Sequence, residues 1–221
     1  MTIDPGTIQV FADVRCPWCW VGHRRLAEAR NQVAGNNDGP PAKVVHRAFL
    51  LEPDGPPRSG ISVREAALND WGMSIAQYEA TRERTEAAGR AEGLTISMDT
   101  ARIFDSRPIH RLLKLAAATP GIDVHGAWEV VFDRHFHLNE DFGSTSVLVD
   151  VGSQVGLGDA VVERILAGRD FDEDVDRDVQ DAHRLGVRAV PTVISGEVHL
   201  AGSRSVTELV DLLARTSELT R

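Results

Sequence analysis

Residues 11–20 read Phe11-Ala12-Asp13-Val14-Arg15-Cys16-Pro17-Trp18-Cys19-Trp20, and they contain both cysteines of this 221-residue chain. An apolar run from Ile8 to Ala12 leads into the pair and predicts a buried strand. The residues from Pro17 to about Val33 follow a helical pattern. A Cys-x-x-Cys pair in the first turn of a helix that follows a strand is typical of a thiol redox site.

The position of Cys16 favours a reactive thiolate. Proline suits the first position of a helix, because it lacks the N–H that would have no partner there. If Pro17 occupies that position, Cys16 is the capping residue, and its sulfur can accept the free N–H groups of Trp18 or Cys19. These hydrogen bonds and the helix dipole stabilise the anion, whereas Arg15, expected to be exposed, adds little. We therefore expect Cys16 to be the attacking sulfur and the inward-facing Cys19, one turn later, the resolving one.

Metal sites and inert cysteines fit the sequence less well. Inert core cysteines would not need this spacing, and a permanent disulfide would close too short a loop to stabilise the fold much. A structural zinc site normally needs four ligands, and with His23 the pair offers only three. His135 and His137 diverge on the helix predicted for their segment, and the acidic run Asp170–Asp178 lacks the glycine and final glutamate of a calcium loop. The sequence thus predicts neither a metal site nor an organic cofactor.

Composition limits the classes of protein to which the chain can belong. The net charge of −9 argues against a nucleic-acid partner. No apolar run reaches the ~20 residues of a membrane-spanning helix. Residues 1–6 contain neither the basic region nor the apolar core of an export signal. We therefore expect a cytoplasmic protein, in which a cysteine pair cycles between dithiol and disulfide.

The order of predicted elements indicates an α/β fold with a helical insertion. Predicted strands at 7–14 and 43–51 flank the first helix and a loop at 35–41, and they form a parallel β-α-β unit. A Pro/Gly-rich stretch at 52–60 ends this unit. At the other end of the chain, a helix, two strands joined by a turn at Ser195-Gly196 and a last helix give α-β-β-α.

Between these two parts the sequence predicts almost only helix. We expect one domain made of residues 1–52 and 170–221, and an inserted helical domain made of residues 53–169. Two helices begin with capping-box patterns, Ser74 with Gln77 in the insertion and Ser205 with Glu208 near the end of the chain.

The sequence resembles the DsbA family of thiol–disulfide oxidoreductases, and within it the FrnE-like cytosolic branch. The resemblance covers Val10 to Leu213. It rests on the Cys16–Cys19 motif after the first strand, on the helical insertion, and on Gly186-Val187-x-x-Val190-Pro191-Thr192 before the next strand. It implies an α/β, thioredoxin-like fold, β-α-β … α-β-β-α, with a large all-helical insertion.

The resemblance also implies a substrate-binding surface beside the cysteines. Pro191 is expected to be cis and to lie against the pair, and Val190 to present backbone groups to an extended substrate. Pro17 and Trp18 occupy the exposed start of the helix, so we expect Trp18 to be partly exposed and both residues to contribute to the substrate groove.

The leading hypothesis is a cytoplasmic dithiol–disulfide oxidoreductase. Its substrate is a protein or small molecule with a disulfide or dithiol, and its only redox group is the Cys16–Cys19 pair, with glutathione as a candidate co-substrate. The alternative is a glutathione-binding transferase of the kappa class or a chromene-carboxylate isomerase that uses the same cleft. Those enzymes are expected to carry serine where Cys16 stands, so the intact pair favours the oxidoreductase. A third hypothesis is a non-catalytic module that binds peptides at the Val190-Pro191 edge.

Overall fold

The computed structural model describes residues 6–36 and 42–218, and within these ranges the chain forms four strands and nine helices. The β-α-β and α-β-β-α parts expected from the sequence are both present, and helices α2–α7 lie between them in the chain. In order, the elements are β1 (Thr7–Ala12), α1 (Pro17–Asn36), β2 (Lys43–Ala48), α2 (Val63–Asn69), α3 (Ile75–Ala91), α4 (Arg107–Ala118), α5 (Val124–Phe136), α6 (Thr145–Gln154), α7 (Asp159–Ala167), α8 (Asp172–Arg184), β3 (Thr192–Ser195), β4 (Val198–Ala201) and α9 (Val206–Glu218).

The strands form one mixed sheet in the order β2-β1-β3-β4. β1 and β2 are parallel, because α1 carries the chain back between them. β3 runs antiparallel to β1, with Val193 opposite Val10, and β4 runs antiparallel to β3. This order confirms the thioredoxin-like α/β fold with a helical insertion.

The side chains of β1 alternate between two cores on opposite faces of the sheet. Ile8 and Val10 belong to a cluster that includes Leu26 of α1 and Leu212 of α9. Phe11 belongs to another cluster with Ala182 of α8. Successive strand residues point to opposite faces, so helices on both sides leave every residue of β1 buried.

Helix α1 also packs against the helical insertion. Trp20 is fully buried and stacks near-parallel to Phe132 and Phe136 of α5, with ring centroids 6.5 and 6.1 Å apart. Its indole N–H donates to Oε1 of Glu129 at 3.0 Å. The start of α1 is therefore held between the sheet and the insertion. The division into domains 1–52 with 170–221 and 53–169 stays a prediction.

Local sequence signals were reliable where they depend on neighbouring residues. Ser74 Oγ accepts from the N–H of Gln77 at 3.3 Å, and Gln77 Oε1 accepts from the N–H of Ser74 at 2.8 Å. Ser205 and Glu208 form the same reciprocal pair at the start of α9. The acidic run at 170–178 lies at the start of α8, as predicted from its helical pattern.

Some boundaries differ from those predicted. The predicted loop at 35–41 begins later, because α1 continues to Asn36; residues 37–41 lie outside the described ranges, as do residues 1–5. The sequence prediction does not separate helix α2 from the helices around it, although Ser62 and Glu65 form a signal for its start: the Ser62 side chain accepts from the N–H of Glu65. In the described part of the chain, no helix combines the length and the apolarity needed to cross a membrane.

Candidate active site

The cysteine pair lies at the start of α1, just after the chain leaves β1. The N–H of Cys16 donates to the carbonyl of Asp13 at 3.0 Å, and the carbonyl of Cys16 accepts from the N–H of Cys19 at 2.9 Å. Both cysteines are free thiols. Cys16 keeps 8 % of its surface exposed, whereas Cys19 keeps 2 %. Both residues are therefore buried, and Cys16 keeps slightly more of its surface exposed than Cys19 does.

The loop before β3 contacts Cys16. The Val190–Pro191 peptide bond is cis, and the thiol of Cys16 donates to the carbonyl oxygen of Val190 across 3.5 Å. Pro191 is buried and Val190 is partly exposed. Residues 174 positions apart in the chain thus meet, as the resemblance implied. The N–H of Cys19, expected to donate to the sulfur, donates to the carbonyl of Cys16 instead, because the backbone turns back on itself in the first turn of α1. The hydrogen bond from the N–H of Trp18 to the sulfur stays a prediction.

Gly22 lets helix α1 approach Pro191 closely. A Cβ atom at this position would lie 2.9 Å from Cγ and 3.5 Å from Cβ of Pro191. The first distance is too short for two carbon atoms, and the ring of a proline has little freedom to move away. The absence of a side chain at Gly22 therefore allows the loop that contacts Cys16 to pack on the helix that carries it.

We expect Gly22→Ala to destabilise the protein by about 1–3 kcal/mol, because overpacking forces the helix and the loop apart. Gly35→Ala, in the last turn of the same helix, is the matched control. A Cβ there meets nothing within 4 Å, so the higher helix propensity of alanine should leave stability unchanged or raise it. Urea unfolding followed by circular dichroism measures both. Equal stability of the two variants would contradict this account of Gly22.

A cavity of about 380 Å³ opens beside Cys16. Pro17 and Trp18 line it, and both are partly exposed. The rest of the wall is mostly apolar, and it comes from the end of β2 and from the insertion. These additional residues include Leu51, Val63, Trp71, Met98, Ile103 and Phe136. Sequence reasoning missed them, because they come from five separate parts of the chain.

Two large apolar side chains of the cavity wall remain open to solvent. Leu51 and Trp71 each keep 47 % of their surface exposed. Exposed aromatic side chains beside a concave apolar surface are typical of ligand-binding sites. An exposed tryptophan in a polar segment was the one sequence signal that could have drawn attention to this wall.

Asp13 connects the cysteine loop to two other parts of the chain, and sequence reasoning missed it. Its carboxylate is fully buried and accepts from the N–H of Arg15 (3.0 Å), the N–H of Leu51 (2.7 Å) and the hydroxyl of Ser106 (3.3 Å). Nε2 of His110 lies 3.5 Å from Oδ1. Burial alone would raise the pKa of Asp13, but His110 and the two backbone N–H groups outweigh it and lower the pKa.

The pKa of Cys19 is raised well above that of a free thiol. The largest cause is burial, followed by its contact with Cys16. Burial disfavours a thiolate because the anion loses its hydration. Cys19 therefore stays protonated at neutral pH, and it has to lose its proton during any reaction in which it attacks.

Arg15 differs from its expected exposed position. It is buried, and its guanidinium forms an ion pair with Glu52 at 2.6 Å. The pair spans the start of α1 and the segment after β2, and both residues line the cavity. A buried, paired arginine holds the loop in place, which an exposed one would not do.

A comparison with protein-family models decides the family of the chain. The model of the DSBA-like thioredoxin domain matches residues 7–214. The chain belongs to this family. The DSBA-like thioredoxin family comprises thiol–disulfide oxidoreductases and related enzymes, in agreement with the resemblance read from the sequence. A search of the curated proteins finds no match.

Solved structures resemble this DSBA-like protein over almost its whole length. A probable DsbA oxidoreductase from Streptomyces coelicolor has a TM-score of 0.85 at 24 % identity, covering 95 % of this chain and 89 % of its own. The cytosolic disulfide reductase DsbM from Pseudomonas aeruginosa, with GSH, has a TM-score of 0.63 at 17 % identity and covers 97 % of both chains. A 2-hydroxychromene-2-carboxylate isomerase has a TM-score of 0.64 at 14 % identity, covering 97 % of this chain and 96 % of its own. At these identities the likeness shows the fold.

Proposed function

We propose that this DSBA-like protein is a cytoplasmic dithiol–disulfide oxidoreductase of the FrnE-like branch, with Cys16 as the attacking sulfur and Cys19 as the resolving one. One observation carries the proposal. Cys16 borders the cavity and contacts the Val190 carbonyl, whereas Cys19 is sealed and its pKa is raised. An incoming disulfide therefore reaches the sulfur of Cys16 first, and the thiol of Cys19 reacts only in the second step.

The reaction balances with no group beyond the two cysteines and the substrate. The thiolate of Cys16 attacks a substrate disulfide RSSR′, forms the mixed disulfide Cys16–S–S–R and releases R′S⁻. The thiol of Cys19 then gives its proton to the released thiolate R′S⁻, and its sulfur attacks the Cys16 sulfur. This step releases RS⁻ and leaves a Cys16–Cys19 disulfide. The substrate gains two electrons and the protein loses two; the reverse sequence oxidises a dithiol.

The surroundings of Cys16 suit a substrate that binds on two sides. The Val190-Pro191 loop offers the backbone carbonyl that contacts the Cys16 thiol, and a bound chain can pair with its backbone by strand addition. Pro17 and Trp18 would contact the part of the substrate that enters the cavity. An apolar wall of this size suits the apolar side chains of a peptide or the apolar part of a small organic disulfide.

We expect Cys19→Ser to accumulate a mixed disulfide on Cys16. The variant can still attack a disulfide, but a serine hydroxyl cannot displace the captured thiol, so the adduct persists. The measurement is intact-mass spectrometry after mixing the protein with glutathione disulfide or with an oxidised peptide. The adduct should disappear on addition of dithiothreitol.

The matched control is Cys16→Ser, which keeps only the sealed thiol and should form little adduct under the same conditions. Equal adduct on both variants, or none on Cys19→Ser, would remove the basis for the proposed roles. Full peptide affinity in Cys16→Ser, together with a wild type that has no redox activity, would instead support the non-catalytic binding module.

The apolar cavity beside Cys16 also favours a second candidate. A glutathione-dependent isomerase or transferase would place glutathione near Cys16 and a hydrophobic co-substrate against residues such as Trp71 and Met98. Such an enzyme needs no dithiol cycle. Turnover of an apolar substrate with glutathione that persists in Cys19→Ser would favour this candidate, and its loss in that variant would favour the oxidoreductase.

A further inference from the structure

Three histidines from separate elements meet on the side of α1 that faces the insertion. His23 lies in α1, His46 in β2 and His125 in α5. One ring nitrogen of each lies within 4.8 Å of the others. Nδ1 of His125 and Nε2 of His46 are 3.4 Å apart, and the ring of His23 stacks on that of His125 with centroids 3.7 Å apart. The proposed redox chemistry uses none of them.

The distances suit a shared metal ion. Zinc binds imidazole nitrogen at about 2.0–2.1 Å, so two ligands of a tetrahedral ion lie roughly 3.3–3.4 Å apart. The nitrogens of His46 and His125 already have this separation. The nitrogen of His23 has to come closer from at most 4.8 Å, and rotation of the stacked rings about their side-chain bonds can supply this movement.

The environment of His23 points independently to a ligand. His23 is only 4 % exposed, and its Nε2 is a buried atom without a hydrogen-bond partner. A buried polar atom normally has a partner, because leaving it unpaired costs free energy. The nearest acid is Glu129, whose Oε2 lies 3.7 Å from this nitrogen, while its Oε1 accepts from Trp20 and Arg24. Glu129 is thus placed to orient His23.

The three imidazoles are neutral at physiological pH, as metal ligands must be. Burial lowers the pKa of His46 to about 3 and that of His125 to about 4. The pKa of His23 is also lowered, first by burial and then by the other two rings. Two arginines, Arg24 and Arg30, act in the same direction. The lone pairs of the rings are therefore available without loss of a proton.

We propose that His23, His46 and His125 bind a divalent late transition-metal ion, with zinc as the ion best suited to the three imidazoles. Imidazole ligands favour zinc, copper and nickel over magnesium and calcium, which require oxygen ligands. The ion would join α1 and β2 to α5, and so tie the helix that carries the cysteines to the helical insertion. The site is separate from the redox chemistry and does not depend on it.

The test uses the full chain with Cys16→Ser and Cys19→Ser, because thiolates also bind zinc. Titration with zinc against a chromogenic chelator should give one ion per chain. His125→Gln changes the most accessible of the three ligands. Loss of an outer-shell partner alone costs about 10–100-fold in metal affinity, so loss of this ligand should lower the affinity for zinc by more than about tenfold. His199→Gln, an exposed histidine of β4, is the matched control and should change nothing.

Two further readouts need no histidine variant. Cobalt(II) should give the visible absorption of a tetrahedral nitrogen-ligated ion, and saturating zinc should raise the thermal midpoint. The proposal is overturned if the cysteine-free protein binds no stoichiometric zinc and shows no such cobalt spectrum. It is equally overturned if His125→Gln and His199→Gln bind zinc alike. Because both cysteines are absent, these outcomes leave the proposed redox function untouched.

Discussion

Replacing Asp13 with alanine should lower the free energy of unfolding by about 3–5 kcal/mol, because a buried hydrogen-bonded carboxylate leaves several partners unpaired when it is removed. The N–H groups of Arg15 and Leu51 would lose their acceptor, and the hydroxyl of Ser106 would lose its contact. No water can replace the carboxylate without entering a fully buried position. The variant also leaves a small cavity beneath the cysteine loop.

The measurement is urea unfolding at neutral pH, with Asp133→Ala as the matched control. The side chain of Asp133, in α5, is 42 % exposed, and its carboxylate pairs with the exposed His137. Its removal should change stability by less than about 0.5 kcal/mol. A loss below about 1 kcal/mol in Asp13→Ala would show that Asp13 does not hold the loop together. Asp13→Asn retains one acceptor oxygen, so its loss of stability should lie between those of Asp13→Ala and Asp133→Ala.

The parts of the site that were predictable from the sequence depend on short-range chemistry. Pro17 fixes the start of α1, and the spacing of Cys16 and Cys19 places both sulfurs at that start. The capping boxes at Ser74 and Ser205 were equally predictable, because each involves residues three positions apart. The position of Val190-Pro191 against Cys16 is a contact across the fold, and it came only from the resemblance to a known family.

The remaining parts depend on contacts that no local pattern encodes. Asp13 could have been an exposed turn residue; its burial follows from the approach of Leu51 and of Ser106 in the insertion. Arg15 was expected to be exposed for the same reason, since its partner Glu52 is 37 positions away. The three histidines at 23, 46 and 125 share no motif, because α1, β2 and α5 bring them together only in the folded chain.

Lowering the pH from about 7 to about 4.5 should lower the free energy of unfolding by about 5 kcal/mol or more, because at the lower pH several imidazoles are protonated in the unfolded chain but stay neutral in the folded state. Burial, followed by the charge of Arg15, lowers the pKa of His135 to about 3, and burial lowers that of His46 to about 3 as well. In the unfolded chain both titrate near 6.5. Below that value the unfolded state binds more protons than the folded state, so stability falls as the pH falls.

The size of the effect follows from the same pKa difference. At about pH 4.5 the imidazoles of His135 and His46 each lower the free energy of unfolding by about 2–3 kcal/mol. The lowered pKa values of His23 and His125 act in the same direction. Two imidazoles alone give about 5 kcal/mol, against a typical total stability of about 5–15 kcal/mol. The lowered pKa of Asp13 adds a further loss in more acidic solution, where its carboxylate becomes protonated. Urea unfolding at several pH values, with a chelator present, measures the slope of the free energy of unfolding against pH.

A variant can separate this mechanism from general acid sensitivity. His135 is 1 % exposed, and its ring meets Phe104 edge-on with centroids 4.9 Å apart. His135→Gln removes one titrating group, so the slope of stability against pH below about 6 should decrease by about 1.4 kcal/mol per pH unit. His137→Gln, two residues later and exposed, is the matched control for the substitution itself. A wild-type stability that stays constant between about pH 7 and pH 5 would mean that the buried imidazoles become solvated before the chain unfolds. The slope thus reports whether the aromatic cluster around His135, which includes Phe104, Phe136 and Phe142, stays packed as the pH falls.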